Sequence, residues 1–346
     1  MNDTIFEDMT CPLPITTHPK VLMAHGGGGR LMNQLIDAMF RTLFTEVQPH
    51  DGAVLEFPQN KLVMTTDSFV IRPLFFPGGD IGMMAVNGTV NDLAMCGAKP
   101  LYLSVAFILE EGLEMTTLWR VIQSMRQAAD AVGVQIVTGD TKVVERGHGD
   151  GIYINTTGIG VLQCKQAINP SQVQLSDVVL ISGDIGRHGM AVLMQRENLA
   201  FSSQIESDCA ALTEPVMALL EAGIEVHCLR DATRGGLAAV LNEVAIASGF
   251  QIDCIESSIP IDSAVQSICE LLGFDPLHIA NEGRFVCFVA AKDALRALEI
   301  LLRYDQCAAQ IGTVTNGRPG LVSLQTAFGG GRILDMPSGE LLPRIC

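Results

Sequence analysis

The chain is poor in positive charge and in long apolar runs. Its 22 Lys and Arg residues stand against 38 Asp and Glu residues, which gives a formal net charge of −16. Because phosphate backbones and anionic lipids are held mainly by clustered Lys and Arg, this balance argues against nucleic-acid and membrane partners. The apolar runs, such as residues 102–109, are far shorter than the roughly 20 residues that cross a bilayer. We therefore expect no membrane-spanning helix.

Closely spaced metal or disulfide motifs are also missing. The ten cysteines include no CxxC pair, and the seven histidines show neither HxH nor HExxH spacing. This pattern argues against zinc and predicts that the nine cysteines before Cys346 are mostly buried thiols. The first eight residues carry acids where a secretory signal carries positive charge, so we expect a cytoplasmic protein.

The composition and the periodicity predict two α/β domains. A length of 346 residues with 48% hydrophobic and 17% charged residues is enough to bury substantial cores. In the first domain we predict strands at 61–66, 102–109 and 152–162 and helices at 82–96 and 116–132. In the second we predict strands at 178–182, 285–290, 308–314 and 321–325 and helices near 213–222, 235–248, 263–272 and 293–302.

The polar, proline-containing stretch 163–175 is the predicted boundary, which gives domains 1–164 and 165–328. Residues 329–346 begin with three glycines and lack the length for a core of their own. We predict that they form a mobile tail, which would extend over roughly 55–60 Å.

Four acidic motifs lie at the ends of predicted strands or at the starts of predicted helices. They are TTDSFV with Asp67, VNDLAMCGAKP with Asn91 and Asp92, TGDTK with Asp140, and RDATRGG with Asp231. Carboxylates at such positions can converge to hold Mg²⁺, which prefers oxygen ligands and bridges nucleotide phosphates. Each one could instead cap a helix or close a turn. The occurrence of four together favours the metal site.

A glycine-rich segment, HGGGGR at residues 25–30, precedes the helical-looking stretch 31–44. The backbone amides of Gly27 and Gly28 could hold phosphate groups there. The segment lacks the GK[ST] ending of a P-loop, so a flexible loop is an equal alternative.

Three further polar residues are candidates for the reaction itself. Lys142 is two residues from Asp140, so in an extended segment both side chains point the same way. The lysine could neutralise phosphate charge or shuttle a proton, and an ordinary surface lysine is the alternative. Glu282, in NEGR before a predicted strand, could be a buried base or an oxygen ligand, or a turn carboxylate paired with Arg284. His148, in the loop RGHGD, could touch phosphate or the tail, although loop histidines are usually just solvated.

Cys346 is the sharpest feature of the sequence. A thiolate is a strong nucleophile and acyl carrier, and a cysteine on a mobile tail could visit a partner's active site and then its own. A disordered end is the alternative. A prenylation box is excluded, because that motif needs three residues after the cysteine.

These motifs, together with NEGR and the ending PRIC at residues 343–346, resemble those of the HypE family of hydrogenase maturation factors, which are carbamoyl dehydratases. The resemblance runs from Gly26 to Cys346. PRIC is its specific element, whereas the Asp motifs alone are shared with the wider superfamily of aminoimidazole ribonucleotide synthetase and selenophosphate synthetase.

The resemblance implies a two-domain PurM-like α/β (α+β) fold whose N-terminal sheet pairs with a second subunit, with ATP in a cleft near the dimer interface. It implies that the carbamoyltransferase HypF loads Cys346 from carbamoyl phosphate. It also implies that a HypC–HypD complex accepts the cyanide for the iron of a [NiFe] hydrogenase.

The same resemblance assigns roles residue by residue. It places Asp67, Asp92 and Asp231 at magnesium positions, and it places Asn91 and Asp140 in nucleotide-contacting motifs. Lys142 and Glu282 match polar groups near the docked thiocarbamate, and His148 is carried over with them.

The reaction that follows from these roles is an ATP-driven dehydration. The carbamoyl oxygen would attack the γ-phosphate while Mg²⁺ on the aspartates and Lys142 stabilise the transferring charge. Glu282, alone or together with Lys142, would then remove the nitrogen protons to leave a thiocyanate on Cys346. A selenophosphate-synthetase-like kinase is one rival, and it would use an N-terminal cysteine or selenocysteine. Here the glycine-rich loop has no adjacent cysteine, because Cys11 lies fourteen residues before it. A scaffold whose tail only docks on a partner is the rival of a different class.

Overall fold

The structure, a computed structural model, describes residues 29–35, 53–56, 61–199, 205–326 and 329–338. The predictions for Gly27, Gly28 and Cys346 lie outside these residues. Within the described part of the chain, every helix is too short or too polar to cross a lipid bilayer.

The N-terminal unit is built on a five-stranded sheet with the strand order β1-β2-β7-β5-β6. In chain order its elements are α1 (Arg30–Leu35), β1 (Ala53–Glu56), β2 (Lys61–Phe69), the hairpin strands β3 (Phe75–Phe76) and β4 (Gly79–Asp80), α2 (Ile81–Met95), β5 (Ala98–Glu110), α3 (Met115–Val132), β6 (Gln135–Val144) and β7 (Ile152–Leu162). Strands β5 and β6 are parallel and are joined by α3, whereas the other neighbours are antiparallel.

The C-terminal unit is built on a seven-stranded sheet with the order β14-β13-β10-β12-β8-β11-β9. Its elements are β8 (Val178–Ile181), α4 (Arg187–Arg196), α5 (Thr213–Glu221), β9 (Val226–Asp231), α6 (Gly236–Ser248), β10 (Gln251–Ile255), α7 (Ser263–Leu272), β11 (Phe285–Val289), α8 (Ala294–Leu301), β12 (Ala309–Thr315), β13 (Val322–Gln325) and β14 (Gly331–Ile333). Apolar residues of α6 pack in one core cluster and those of α5 and α8 in another. Every residue of β8 is buried, as expected for a strand covered on both faces.

Helix α2 joins the two units. It begins after Asp80, whose carboxylate accepts the N–H groups of Gly82 and Met83. Apart from Met83 and Asp92, all its residues are buried, which is typical of a helix with protein on every side. Its Ala94 and Met95 share a core cluster with residues of the second unit. The helix therefore holds its polar residues where the two units meet.

The two faces of the N-terminal sheet differ. Along β2 the residues alternate, with Val63, Thr65 and Phe69 buried on the face toward α2. The opposite face, which we call the open face, leaves Met64, Tyr102 and Ile108 about equally exposed, at 44%, 45% and 44%. Single apolar side chains are common on protein surfaces, whereas several on one face of a sheet are typical of an interaction surface.

The first part of the predicted tail belongs to the C-terminal sheet. Strand β14 pairs with β13, and Leu334 is buried, donating its N–H to Val322 O and accepting from the side chain of Asn242. Pro337 is also buried, and its carbonyl oxygen accepts the N–H of Arg30 at 2.8 Å. The prediction of a free tail from residue 329 is therefore wrong for residues 331–337, because the spare edge of β13 offers them a backbone ladder.

The predicted two-domain α/β fold is confirmed. All predicted strands and helices of both units are present with ends shifted by a few residues. The additional elements are β1, β3, β4, β6, β9, β10, β14 and α4. The predicted helix at 31–44 is described only over α1.

Candidate active site

Asp67 and Asp92 lie side by side where β2 packs on α2. Thr65 donates its hydroxyl to Asp92 Oδ2 at 2.7 Å, and Asp67 follows two residues later on the same face of the strand. The Asp67 Oδ1 atom accepts the N–H of Ser68 at 2.7 Å. A Cβ atom at Gly88, one helical turn before Asp92, would lie only 3.8 Å from Asp67 Oδ2. The local geometry thus brings two of the predicted carboxylates together.

Asp231 and Glu282 come from the second unit. Strands β9 and β11 pair so that Asp231 is opposite Phe285, and Asn281 donates its N–H to Ala232 O at 3.0 Å. Both residues are buried, with exposed fractions of 6% for Asp231 and 4% for Glu282. The end of β9 and the loop before β11 therefore present their acids at the same edge.

The charges of the two units act on one another. Burial raises the pKa of Glu282 well above its ordinary value, and the negative charges of Asp208, Asp231 and Asp67 raise it further, whereas Arg234 opposes them. Burial likewise raises the pKa of Asp67, against the opposing effects of Arg234 and of the hydrogen bond from Ser68. Asp67 and Glu282 therefore lie close enough for their charges to interact, and we call the place between the units where these acids meet the carboxylate cleft.

This carboxylate cleft fits a divalent cation in its chemistry. Its donors are hard oxygens, and the repulsion that raises the pKa of Glu282 is the interaction that a cation relieves. Within the described ranges, no group of three or more His, Cys, Asp or Glu side chains is already arranged to hold a metal ion. Magnesium usually keeps waters and takes phosphate oxygens besides one or two carboxylates, so the magnesium set of Asp67, Asp92 and Asp231 stays a prediction.

Asn91 is buried and spans the two units. Its Nδ2 atom donates to Ala210 O at 3.0 Å and to Glu282 O at 3.5 Å, and its Oδ1 atom accepts the N–H of Leu212 at 2.7 Å. Both amide atoms are thus occupied by backbone of the second unit. Asn91 therefore connects α2 to the second unit by hydrogen bonds, and its predicted nucleotide contact stays a prediction.

Asp140 and Lys142 lie on the open face, on the other side of the sheet from Asp67. In β6, Asp140 pairs with Ala106, Ala106 pairs with Asn155, and Asn155 pairs with Ser68 on β2. Paired residues point to the same face and successive residues to opposite faces, so Ser68 and Asp140 share one face and Asp67 has the other. Strand β6 is the edge strand, and both residues are exposed. One chain therefore does not bring them into the carboxylate cleft.

His148 lies in the exposed turn between β6 and β7. Its side chain is 70% exposed, and Nδ1 is 3.8 Å from Glu145 Oε2. Its predicted catalytic role stays a prediction.

The sequence did not reveal three residues of the cleft. Asp208 accepts backbone hydrogen bonds from the Glu282 loop, and Cys209 lies beside it, where burial and the charges of Glu282 and Asp208 raise the pKa of the thiol. Both are in a connecting segment without periodicity. Arg234 is the only one with a signal, since it belongs to the motif DATRGG.

Comparison with known proteins agrees with this fold. Models of the AIR synthase related protein family match the chain with their N-terminal domain at residues 49–162 and their C-terminal domain at 176–323. A carbamoyl dehydratase HypE from Azotobacter vinelandii is 50% identical over 332 residues, which cover 94% of this chain and 97% of that protein.

Two solved structures extend the comparison. HypE in a HypE–HypF complex is 46% identical with a TM-score of 0.82, covering 88% of this chain and 99% of that one. A hydrogenase maturation protein HypE in complex with ATP is 44% identical with a TM-score of 0.81, covering 94% and 100%.

The two matched domains and the cleft between them define the chain as a two-domain enzyme of the AIR synthase related class. Within that class the identities over nearly the whole chain are decisive. The chain belongs to the HypE family of carbamoyl dehydratases.

Proposed function

We propose that this protein uses ATP to dehydrate a carbamoyl group carried on the sulfur of Cys346, which leaves a thiocyanate. The cyano group would supply the cyanide ligand of the iron in a [NiFe] hydrogenase. ADP and phosphate are the other products. The names of its relatives, carbamoyl dehydratases with one ATP complex among them, support this proposal.

The observation that carries the proposal is the state of Glu282. This residue is 4% exposed and lies between the units, and its carboxyl group receives no hydrogen bond from any described residue. Burial raises the pKa of Glu282 well above its ordinary value, and a carboxylate with a raised pKa is a stronger proton acceptor. Removing two protons from a carbamoyl nitrogen requires such a base.

The carboxylate cleft would bind the nucleotide. We propose that Asp67, Asp92 and Asp231 hold Mg²⁺, which when bound neutralises charge on the phosphates. The buried walls of the cleft exclude water, so that the activated carbamoyl group is not lost to hydrolysis. Gly27 and Gly28 would contribute backbone N–H groups to the phosphates.

Lys142 and Asp140 would enter this cleft from a second subunit. They lie on the open face, whose exposed Met64, Tyr102 and Ile108 form an apolar surface that a second copy of the chain could cover. In that homodimer, β6 of one protomer would face the carboxylate cleft of its partner. Lys142 would then stabilise the charge that develops as the carbamoyl oxygen attacks the γ-phosphate.

The sequence of steps follows from these positions. The carbamoyl oxygen attacks the terminal phosphate, so that an amide oxygen becomes a good leaving group. Glu282 takes one nitrogen proton and the departing phosphate takes the other, while the C–O bond breaks and the C≡N bond forms. His148 would assist at the mouth of the cleft, from the turn that follows β6.

The partners follow from the carrier role. HypF would load Cys346 with a carbamoyl group, in keeping with the HypE–HypF complex among the relatives. A HypC–HypD complex would accept the cyano group, and the reduced thiol of the carrier fits a cytoplasmic setting.

Intact-protein mass spectrometry tests the proposal. After incubation with HypF, carbamoyl phosphate and ATP, the chain should gain the mass of a carbamoyl group and then lose that of water. Cys346→Ala should show neither change, and Cys307→Ala, which removes an exposed thiol elsewhere, should show both. Gain of the adduct by the Cys346→Ala variant would end the carrier role.

A further inference from the structure

Asp208 is tied to the backbone of the loop that carries Glu282. Its Oδ2 atom accepts two consecutive N–H groups, that of Glu282 at 3.1 Å and that of Gly283 at 3.0 Å. Its Oδ1 atom accepts the N–H of His188 in the first turn of α4 at 2.9 Å. Hydrogen bonds to a carboxylate are roughly twice as strong as neutral ones. One side chain therefore fixes the loop to the start of a helix.

The contact between the two segments is close. A Cβ atom at Gly283 would lie 2.0 Å from Asp208 O and 2.9 Å from Ala210 N, so no larger residue fits there without movement. From the opposite side, Asn91 holds Ala210 O and Leu212 N. Segment 208–212 is thus clamped between α2 and the Glu282 loop.

The carboxyl group of Glu282 depends on this support. No described residue hydrogen-bonds the carboxyl group itself, whereas the N–H of Glu282 is held by Asp208 and its C=O lies 3.5 Å from the Asn91 amide. A side chain that no described residue holds by a hydrogen bond takes its position mainly from its backbone and from the walls around it. Loosening the backbone should therefore displace the carboxyl group directly.

We propose that Asp208 is a positioning residue, which holds Glu282 in the orientation needed for proton removal. The inference rests on the proposed function, because it assumes that Glu282 is the base. Asp208 is itself buried behind the loop backbone, with 7% exposed, and acts through Glu282. A purely structural role is the alternative, and it predicts that all activities and the stability fall together.

The test compares Asp208→Asn with Asp293→Asn. Asp293 is also 7% exposed, also accepts a backbone N–H, from Glu225 at 3.1 Å, and also lies at the start of a helix, where it pairs with Arg296. Its partner Glu225 directly precedes β9, whereas Asp231 ends that strand, so about 20 Å separates this site from the cleft at roughly 3.3 Å per residue. The pair therefore matches the loss of charge and separates the two locations.

Three quantities are compared between the variants, and only the dehydration rate should differ. For Asp208→Asn we expect carbamoyl loading of Cys346 and the ATP concentration for half-maximal rate within about twofold of wild type. We expect the single-turnover dehydration rate at saturating ATP to fall roughly 10- to 100-fold, since small misplacement of a reacting group costs about that much. Asp293→Asn should keep all three. A normal dehydration rate in Asp208→Asn would overturn the proposal.

Hydrogen exchange gives a readout independent of catalysis. The amides of Glu282 and Gly283 should exchange faster in Asp208→Asn than in wild type and in Asp293→Asn. If wild type fails to dehydrate the carbamoyl group, the proposed function fails, and this exchange still decides whether Asp208 holds the loop. Unchanged exchange would refute the positioning role. If Asp208→Asn does not fold, Asp208→Glu, which keeps the charge, takes its place, and loss of folding in both would refute positioning in favour of a structural role.

Discussion

Subunit complementation tests whether the site is shared between two protomers. We consider one chain with Lys142→Ala and another with Glu282→Ala. Because Lys142 lies on the open face and Glu282 in the carboxylate cleft beyond the sheet, the proposed dimer takes these residues from different chains at each site. Each homodimer should then lack one group at both sites, and removal of a single charge-stabilising group costs roughly 100-fold in rate.

The mixed dimer has a different count of intact sites. One site combines Glu282 of the Lys142→Ala chain with Lys142 of the Glu282→Ala chain and is complete. The other site lacks both groups. A twofold dimer with one working site should show about half of the wild-type initial rate.

The assay uses two affinity tags, so that only mixed dimers survive two purification steps, with native mass spectrometry to check their composition. The initial rate of water loss from carbamoylated protein is measured under ATP saturation. A mixed dimer of Lys142→Ala with Asp140→Ala is the matched control, because both residues come from β6 and every site then lacks one of them. A mixed dimer of the first pair that is as slow as its parents would refute the sharing of the site.

Three further predictions concern the open face, the docked residues 331–337, which we call the root of the tail, and the buried pair of His227 and Asp177. Met64→Asp should dissociate the proposed dimer in sedimentation experiments, because it adds charge to the open face, whereas Leu295→Asp, at an exposed position of α8, should not; dissociation by neither would remove the assigned interface. Leu334→Ala should lower the free energy of unfolding by roughly 2–4 kcal/mol in urea titrations, because Leu334 is buried in the C-terminal core, and the exposed Ile333→Ala should change it little; equal effects would contradict the docking of the tail root. The hydrogen bond to Asp177 raises the pKa of His227 above 6.5, so the protonated histidine stabilises the fold below that pH, and this stabilisation is lost as the pH rises through the raised pKa. Asp177→Asn should therefore lower the free energy of unfolding more at pH 6 than at pH 9. An effect that does not depend on pH would contradict the ion pair.

The sequence predicted the positions of helices and strands better than it predicted which face of a sheet a residue lies on. Strand β7 was predicted at 152–162 and is found there, because its alternation of buried and half-buried residues is regular. Asp67 and Asp140 both follow from strand-end motifs, yet they lie on opposite faces of one sheet. That relation depends on the order β2-β7-β5-β6, which no local pattern specifies.

The sequence also did not predict the residues whose side chains hydrogen-bond the backbone of distant segments. Asp208 lies in a connecting segment, and its two bonds to the Glu282 loop join positions 74 and 75 residues apart. Asn91 was found as part of a motif, but its amide serves the packing of α2 against the second unit. Strand β14 begins at the last of three consecutive glycines, which indicate flexibility, and forms because β13 offers an edge for pairing.

The docked root of the tail places a limit on the carrier role. Pro337 lies against the start of α1, where a Cβ atom at Gly29 would be 2.5 Å from Pro337 O. Beyond Ser338 the eight residues 339–346 can extend over roughly 26–29 Å, about half of the reach that the sequence suggested. If the root stays docked during turnover, both the carboxylate cleft and the loading site of HypF must come within that radius of Ser338. A loading site farther away would require β14 to leave the sheet, which would expose Leu334 and cost the free energy that the Leu334→Ala variant measures.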